Sequence, residues 1–278
     1  MDDTLKTVIF GFLGMIVFHA SLEKRAQHDA ARQVSASFQN TGSIRAVTEP
    51  RGMFGALANH FYAVDIYGTG QSAEHLPFLA FPREGWKGHI RHLRLHFDNL
   101  TLKGLPVSRF EADIPNVTYD LGQALYKDRL VIRGAGAGSA TVTIGAGGLR
   151  TFILKKYGRS LREIQVSFRD HKVVISGKIL LFGAQSPFVA VGELVDRDGR
   201  YVDLTRTSVD LNGQPLSPEV AANMLKQINP VLDIAADLDL AEYLKISHVS
   251  IGASDITVFG QASIPIAKSG EAPTMQIP

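Results

Sequence analysis

Between residues 89 and 262 apolar side chains return at every second position, run after run. In HIRHLRLHF, Leu93, Leu95 and Phe97 share one face while Arg94 and His96 point to the other, the signature of a half-buried strand. After Asp98-Asn99 the phase moves to Leu100 and Leu102, which predicts a bulge. In SRFEADIPNVTY the apolar positions Phe110, Ala112 and Ile114 give way, after Pro115, to Val117 and Tyr119. A proline there suits an edge strand or a bulge, because it cannot donate to a ladder. Ile164, Val166 and Phe168 alternate again, and Arg169-Asp170-His171 predicts a turn into KVVISGKILLF. The stretch Asp196-Arg197-Asp198-Gly199-Arg200 predicts a hairpin between VAVGELV and YVDL. HVSIG and ITVFGQASI, joined around Ala253-Ser254-Asp255, make the last pair. Short connections mean antiparallel neighbours, and long bulged strands mean a curved sheet.

Few helices interrupt the strands. Leu149, Phe152, Ile153 and Tyr157 fall at i, i+3, i+4 and i+8, one apolar stripe, with Lys155 and Lys156 in the last turn and Gly158 as a stop. A second helix starts at Ser217 as N-cap, with Pro218 first and Glu219 in the first turn. Its stripe is Val220, Ala221, Met224, Leu225 and Ile228, and Asn229-Pro230 ends it. A shorter helix is expected over residues 121–126.

The N-terminus reads differently. Residues 7–22, TVIFGFLGMIVFHASL, carry no formal charge. They approach the roughly 20 residues that cross a bilayer core. Phe18 stands where a signal peptidase cutting after Ala20 wants a small residue, so an uncleaved signal anchor is the expectation. Residues 23–38 contain no Gly or Pro and extend it as a polar helical stalk. The expected organisation is an anchor and stalk over residues 1–40, an α+β domain over 41–267 and a flexible tail over 268–278. Lys24, Arg25 and Arg32 follow the apolar run, a bias that taken alone favours a cytoplasmic main domain.

Chemical motifs are sparse. The glycine-rich GAGAGSATVTIGAGG, residues 134–148, lacks the Gly-Lys-Ser/Thr of a phosphate loop and fails the dinucleotide fingerprint at Ser139 and Thr141. Its SATVTI is itself a strand, so the glycines read as strand bends and a helix entry. His92 and His96 lie roughly 13 Å apart on a strand, too far to share one zinc. Asp233, Asp237 and Asp239 lack calcium-loop spacing. There is no nucleophile elbow and no zinc-protease signature. The 29 basic and 27 acidic residues give a net charge of +2, without the basic excess of a nucleic-acid binder. The expectation is a non-enzyme that needs no cofactor or metal.

The order of these features resembles the LmeA-like phospholipid-binding family of bacteria. The similarity is carried by FDNLTLKGLPVSRFEADIPNVTYDL, GAGSATVTIGAGGLRTFI, the hairpin around DGRYVDL, and above all INPVLDIAADLDL followed by HVSIGASDITVFGQASI. The resemblance implies a long, strongly curved antiparallel sheet wrapped around one or two helices, half of a tubular lipid-binding module. It implies phospholipid binding without a known reaction, and a location at the cell membrane with the main domain periplasmic or extracytoplasmic.

The residues themselves are compatible with that. An apolar trough between a curved sheet and amphipathic helices suffices for an acyl chain, because each buried methylene contributes ~0.8 kcal/mol. Leu149, Phe152, Ile153, Tyr157, Met224, Leu225 and Ile228 are the expected lipid-binding lining. The function expected is a membrane-anchored phospholipid-binding protein serving envelope lipid or glycolipid maintenance. The alternative is a non-catalytic scaffold or accessory subunit of a membrane complex, with an exposed apolar patch in place of a cavity.

Overall fold

The computed structural model describes residues 42–50, 60–74, 76, 78–127, 130–181 and 184–267. The expected anchor over 7–22, the stalk over 23–38 and the tail over 268–278 lie outside these residues. Among the described residues no helix is long and apolar enough to cross a membrane.

The strands in chain order are β1 (Ser43–Pro50), β2 (His60–Thr69), β3 (Ser72–Ala73), β4 (Lys87–Leu102), β5 (Leu105–Asp120), β6 (Ile132–Gly134), β7 (Gly138–Gly145) and β8 (Leu161–Arg169). They continue with β9 (Lys172–Leu181), β10 (Ala184–Arg197), β11 (Tyr201–Leu211), β12 (Gln214–Pro215), β13 (Leu232–Asp233), β14 (Leu244–Ile251) and β15 (Asp255–Ala262). The helices are α1 (Leu121–Lys127), α2 (Ala146–Tyr157) and α3 (Pro218–Ile228).

Strand content dominates, as the alternation requires, but it divides between two open sheets where one was expected. The first runs β1-β2-β4-β5-β7-β15-β14, with β3 beside β4 and β6 beside β5. The second runs β12-β11-β10-β9-β8, with β13 beside β11. Among the named strands, pairing is antiparallel except that β2 and β3 run parallel to β4. One backbone bond, from the Ile246 N–H to the Gly199 carbonyl at 2.7 Å, stitches the first sheet's edge strand to the β10–β11 turn.

The phase changes within β4 and β5 turn out to be matched kinks, with no insertion on either strand. Pairing holds one register from Lys87↔Asp120 to Leu102↔Leu105 and skips only the positions at Arg91 and Asn99. Asn99 and Asn116 take φ of 55° at these places, the left-handed region that asparagine tolerates best among residues with a side chain. Each kink flips the inward face on both strands at once, so Ile90, Leu93, Phe97 and Leu100 are all buried in spite of their uneven spacing. True register shifts occur in the first sheet at Glu49/Pro50, Thr118/Tyr119 and Ile246/His248, and in the second at β8 beside Glu163 and between β10 and β11 near Arg206. In the second-sheet pair the shift has a visible backbone cause: Glu163 and Arg206 have positive φ, and such bulges increase bend and twist.

Tight turns close the long hairpins. Asp170-His171, with φ of 52° and 58°, joins β8 to β9, and Asp198-Gly199-Arg200 joins β10 to β11. The glycines of residues 134–148 serve close packing. A side chain on Gly138 would meet the Asp113 carbonyl, and one on Gly148 the Pro106 carbonyl. They let β5 pass hard against β7 and the start of α2.

A single apolar core fills the space between the sheets, and α2 runs through it. Its Leu149, Phe152 and Ile153 are buried as their spacing predicts. Gly158 does not end α2 in a left-handed turn. Its φ is −63°, and the helix closes through the Ser160 N–H to the Tyr157 carbonyl. Ser217 does stand at the N-cap of α3, but its side chain makes no capping bond. Val220 leaves the expected buried stripe and is 52% exposed. Ala221, Met224, Leu225 and Ile228 follow the i, i+3, i+4, i+7 pattern, and Val220 sits one residue, about 100°, to its side.

Candidate functional site

The second sheet, α2 and α3 do not close completely on one another. A cavity of about 40 Å³ remains beneath α3. By the space a buried water needs, this holds about three water-sized groups. Ile153 and Tyr157 of α2 form one wall, Ile175, Ile179, Phe188 and Val209 of the sheet the floor, and Met224, Leu225 and Ile228 of α3 the roof. The lining is apolar, the Tyr157 hydroxyl being engaged by the Ile228 carbonyl, so no free polar group there holds a water.

Five of the seven residues expected from the sequence meet at this cavity: Ile153, Tyr157, Met224, Leu225 and Ile228. Leu149 and Phe152 lie elsewhere, at a separate void of about 10 Å³ one turn earlier on α2. The roof is only half covered. Met224, Leu225 and Ile228 are all partly exposed, and Ala221 alone of the α3 stripe is buried.

α3 is fastened at its C-terminal end. Asn229 pairs its amide with the backbone of Leu204 on β11 in both directions, each bond at 2.9 Å. Its own N–H caps the helix at the Leu225 carbonyl. The Tyr157 hydroxyl donates to the Ile228 carbonyl at 2.9 Å. Burial raises the tyrosine's pKa, the Lys156 charge opposes this and Asp237 adds to it, and the net direction is upward, so the hydroxyl remains a donor.

Behind this fastening lies a polar clasp that local sequence patterns did not reveal. Lys156 donates to the Asp237 carboxylate at 2.6 Å and to the carbonyls of Pro230 and Val231. Asp237 also accepts the Asp233 N–H at 2.9 Å. Asp233 receives both arms of Arg200 at 2.9 Å and the N–H groups of Ala235 and Ala236. Two of the three aspartates considered for a metal are thus taken up by cations and backbone amides. One signal was available: an aspartate such as Asp233 in Asp-Ile-Ala-Ala can cap its own turn by bonding backbone two residues on. The partners Lys156 and Arg200 carry no comparable mark, being distant in sequence.

The Arg200 hydrogen bond holds Asp233 down to a pKa of about 2; burial opposes it, and the two backbone amides assist. A folded value below the ordinary 3.8 stabilises the fold above about pH 4, and the contribution disappears as pH falls toward 2. Arg200 is 45% exposed, so water screens the pair, and Asp233→Asn costs about 1 kcal/mol at pH 7. In urea titrations the gap to wild type should close between pH 4 and pH 2. A gap of constant size would contradict the assignment.

The histidines sit on the outer face of the first sheet. His92 contacts Asp113 at 3.0 Å, and His96 stacks on Tyr67 with ring centres 4.9 Å apart. They are partly exposed and lie on the face opposite Leu93 and Leu95, as the alternation placed them.

The sequence profile of LmeA-like phospholipid-binding proteins matches residues 78–261, more than half of the chain. The chain belongs to the LmeA-like phospholipid-binding family. The match begins ahead of β4 and ends within β15, so it takes in the second sheet, the first sheet from β4 onward, the cavity and the clasp, and leaves out β1 to β3. The LmeA-like family is one of phospholipid binders and not a known enzyme family. No curated protein and no solved structure matches the chain.

Proposed function

We propose that the protein holds a phospholipid acyl chain beneath α3, as a membrane-anchored, extracytoplasmic, non-catalytic component of envelope lipid or glycolipid maintenance. The observation that carries the reading is the apolar cavity roofed by a half-covered amphipathic helix. A hydrocarbon gains from such walls in proportion to the surface it removes from water. No polar partner in the cavity has to be satisfied first.

At about 40 Å³ the cavity is smaller than an acyl chain. Entry of lipid requires the roof to lift. α3 can do so from its N-terminal end, where Val220 faces solvent, while Asn229 and Tyr157 keep the other end in place. The scaffold alternative wanted a solid interior and a broad exposed apolar patch, and the cavity weighs against it. Membrane attachment rests on the apolar run at residues 7–22, and the location on the properties of the family.

Lipids extracted from protein purified without added lipid supply the test. Mass spectrometry should find phospholipid at near-stoichiometric amount. Absence of lipid, together with no uptake of labelled phospholipid, would remove the proposal.

A further inference from the structure

The second void shares a wall residue, Val231, with the first. It is lined by Leu105 and Ile144 from the first sheet, Leu194 and Val202 from the second, and Leu149 and Phe152 of α2. α2 flanks both voids, touching the first with Ile153 and Tyr157 and the second with residues one turn earlier. From Leu149 to Tyr157 the helix rises ~12 Å, so α2 is long enough to border both spaces.

Val231 is well placed to be a fixed constriction. Its carbonyl accepts from Lys156, whose other bonds run to Pro230 and Asp237. The next residue, Leu232, pairs with Val202 on β11. Its side chain is buried, and a β-branched side chain has few rotamers to escape through. The surroundings of the second void are apolar throughout. Water finds no partners there, and a headgroup would leave its hydrogen bonds unmade. Hydrocarbon is the chemistry these walls accept.

We infer that the space lined by Leu149, Phe152 and Leu194 is a distal compartment for the end of the acyl chain, and that Val231 sets the chain length the protein accepts. The inference rests on the acyl-binding reading of the first cavity. A chain entering beneath α3 fills the first cavity, passes Val231 along α2 and ends among the residues of the second. Both compartments widen by rotation of their own apolar side chains, and no polar contact has to break.

The test offers the full-length protein, in mild detergent, equal amounts of dimyristoyl- and distearoylphosphatidylglycerol. Bound lipid is then quantified by mass spectrometry. Wild type should take up both in about the proportion offered, since detergent and pocket gain alike from each methylene. Val231→Phe blocks the passage and leaves the end of the longer chain outside. Each excluded methylene costs about fourfold, so distearoyl lipid should be disfavoured relative to dimyristoyl lipid about tenfold or more. Val231→Ala carries no risk of overpacking and serves if the phenylalanine variant does not fold. It should increase uptake of diarachidoylphosphatidylglycerol severalfold over wild type. Unchanged proportions in folded Val231→Phe, or unchanged long-chain uptake in Val231→Ala, overturn the inference while leaving lipid binding intact. If wild type takes up neither lipid, the reading of the first cavity fails and this inference falls with it.

Discussion

Replacing Arg133 by leucine should lower stability by about 3–5 kcal/mol, the usual cost of removing one member of a buried ion pair. The Arg133 side chain on β6 is 3% exposed, and its Asp120 partner, at 3.0 Å, is 14% exposed. The guanidinium also donates to the carbonyls of Glu84 at 2.7 Å and Gly85 at 3.1 Å. It thereby closes the loop that leads into β4. Asp120 ends β5 and accepts the Gln123 N–H at 3.0 Å, which starts α1. One buried cation thus holds three chain segments. Leucine fills much of the volume but supplies no donor, and three acceptors lose a partner that water replaces poorly.

The carboxylate provides a second readout. Burial alone would raise its pKa, but the Gln123 N–H, the Arg133 guanidinium and the Gly122 N–H together bring it below the ordinary value. In the variant the cation is gone and the pKa rises. Wild-type Asp120 stabilises the fold above its unfolded pKa, and the contribution is lost as pH falls through the folded one. Chemical denaturation at pH 7 and at pH 3 should therefore find a large deficit at the first and a smaller one at the second. Equal deficits would mean that leucine fails through packing, not through charge.

What the sequence made legible, and what it hid, divides by distance along the chain. Period-two runs name the strands and their inward faces, because burial of a pleated surface leaves its mark on every residue. The α2 stripe was readable for the same reason, and Leu149, Phe152 and Ile153 are buried where spacing put them. Partner choice leaves no such mark. Nothing in HFYAVDIYGT says that β2 lies parallel to β4, or that β8 to β13 separate into a sheet of their own. The kinks at Asn99 and Asn116 were visible as phase changes, yet an insertion on one strand and a matched flip on two give the same local pattern. At the candidate site the apolar roof and wall could be read, but the floor could not. Ile175, Phe188 and Val209 belong to three strands whose convergence is a property of the sheet. The clasp joining Lys156 to Asp237 spans 81 residues, so no window of sequence contains it.

That clasp is where stability and the cavity are coupled. Lys156→Met keeps the aliphatic stem and removes the charge, and it should cost about 3 kcal/mol, the low end for a broken buried pair. The low end is appropriate because Lys156 and Asp237 retain 24% and 16% exposure, so water can partly replace the ammonium. Asp237 would keep the Asp233 N–H but lose its only cation among the described residues, and the carbonyls of Pro230 and Val231 would lose a donor. A double-mutant cycle with Asp237→Asn separates the contributions. If the ion pair dominates, the two changes together should cost little more than either alone, with a coupling energy of about 2 kcal/mol. Strict additivity would place the cost in the carbonyls. The ends of α3 and β13 meet at this clasp, so the variant should also loosen Val231 and with it the boundary between the two apolar spaces. A stability loss accompanied by faster exchange of bound lipid would tie the clasp to the site. The same loss with unchanged exchange would confine Lys156 to the fold.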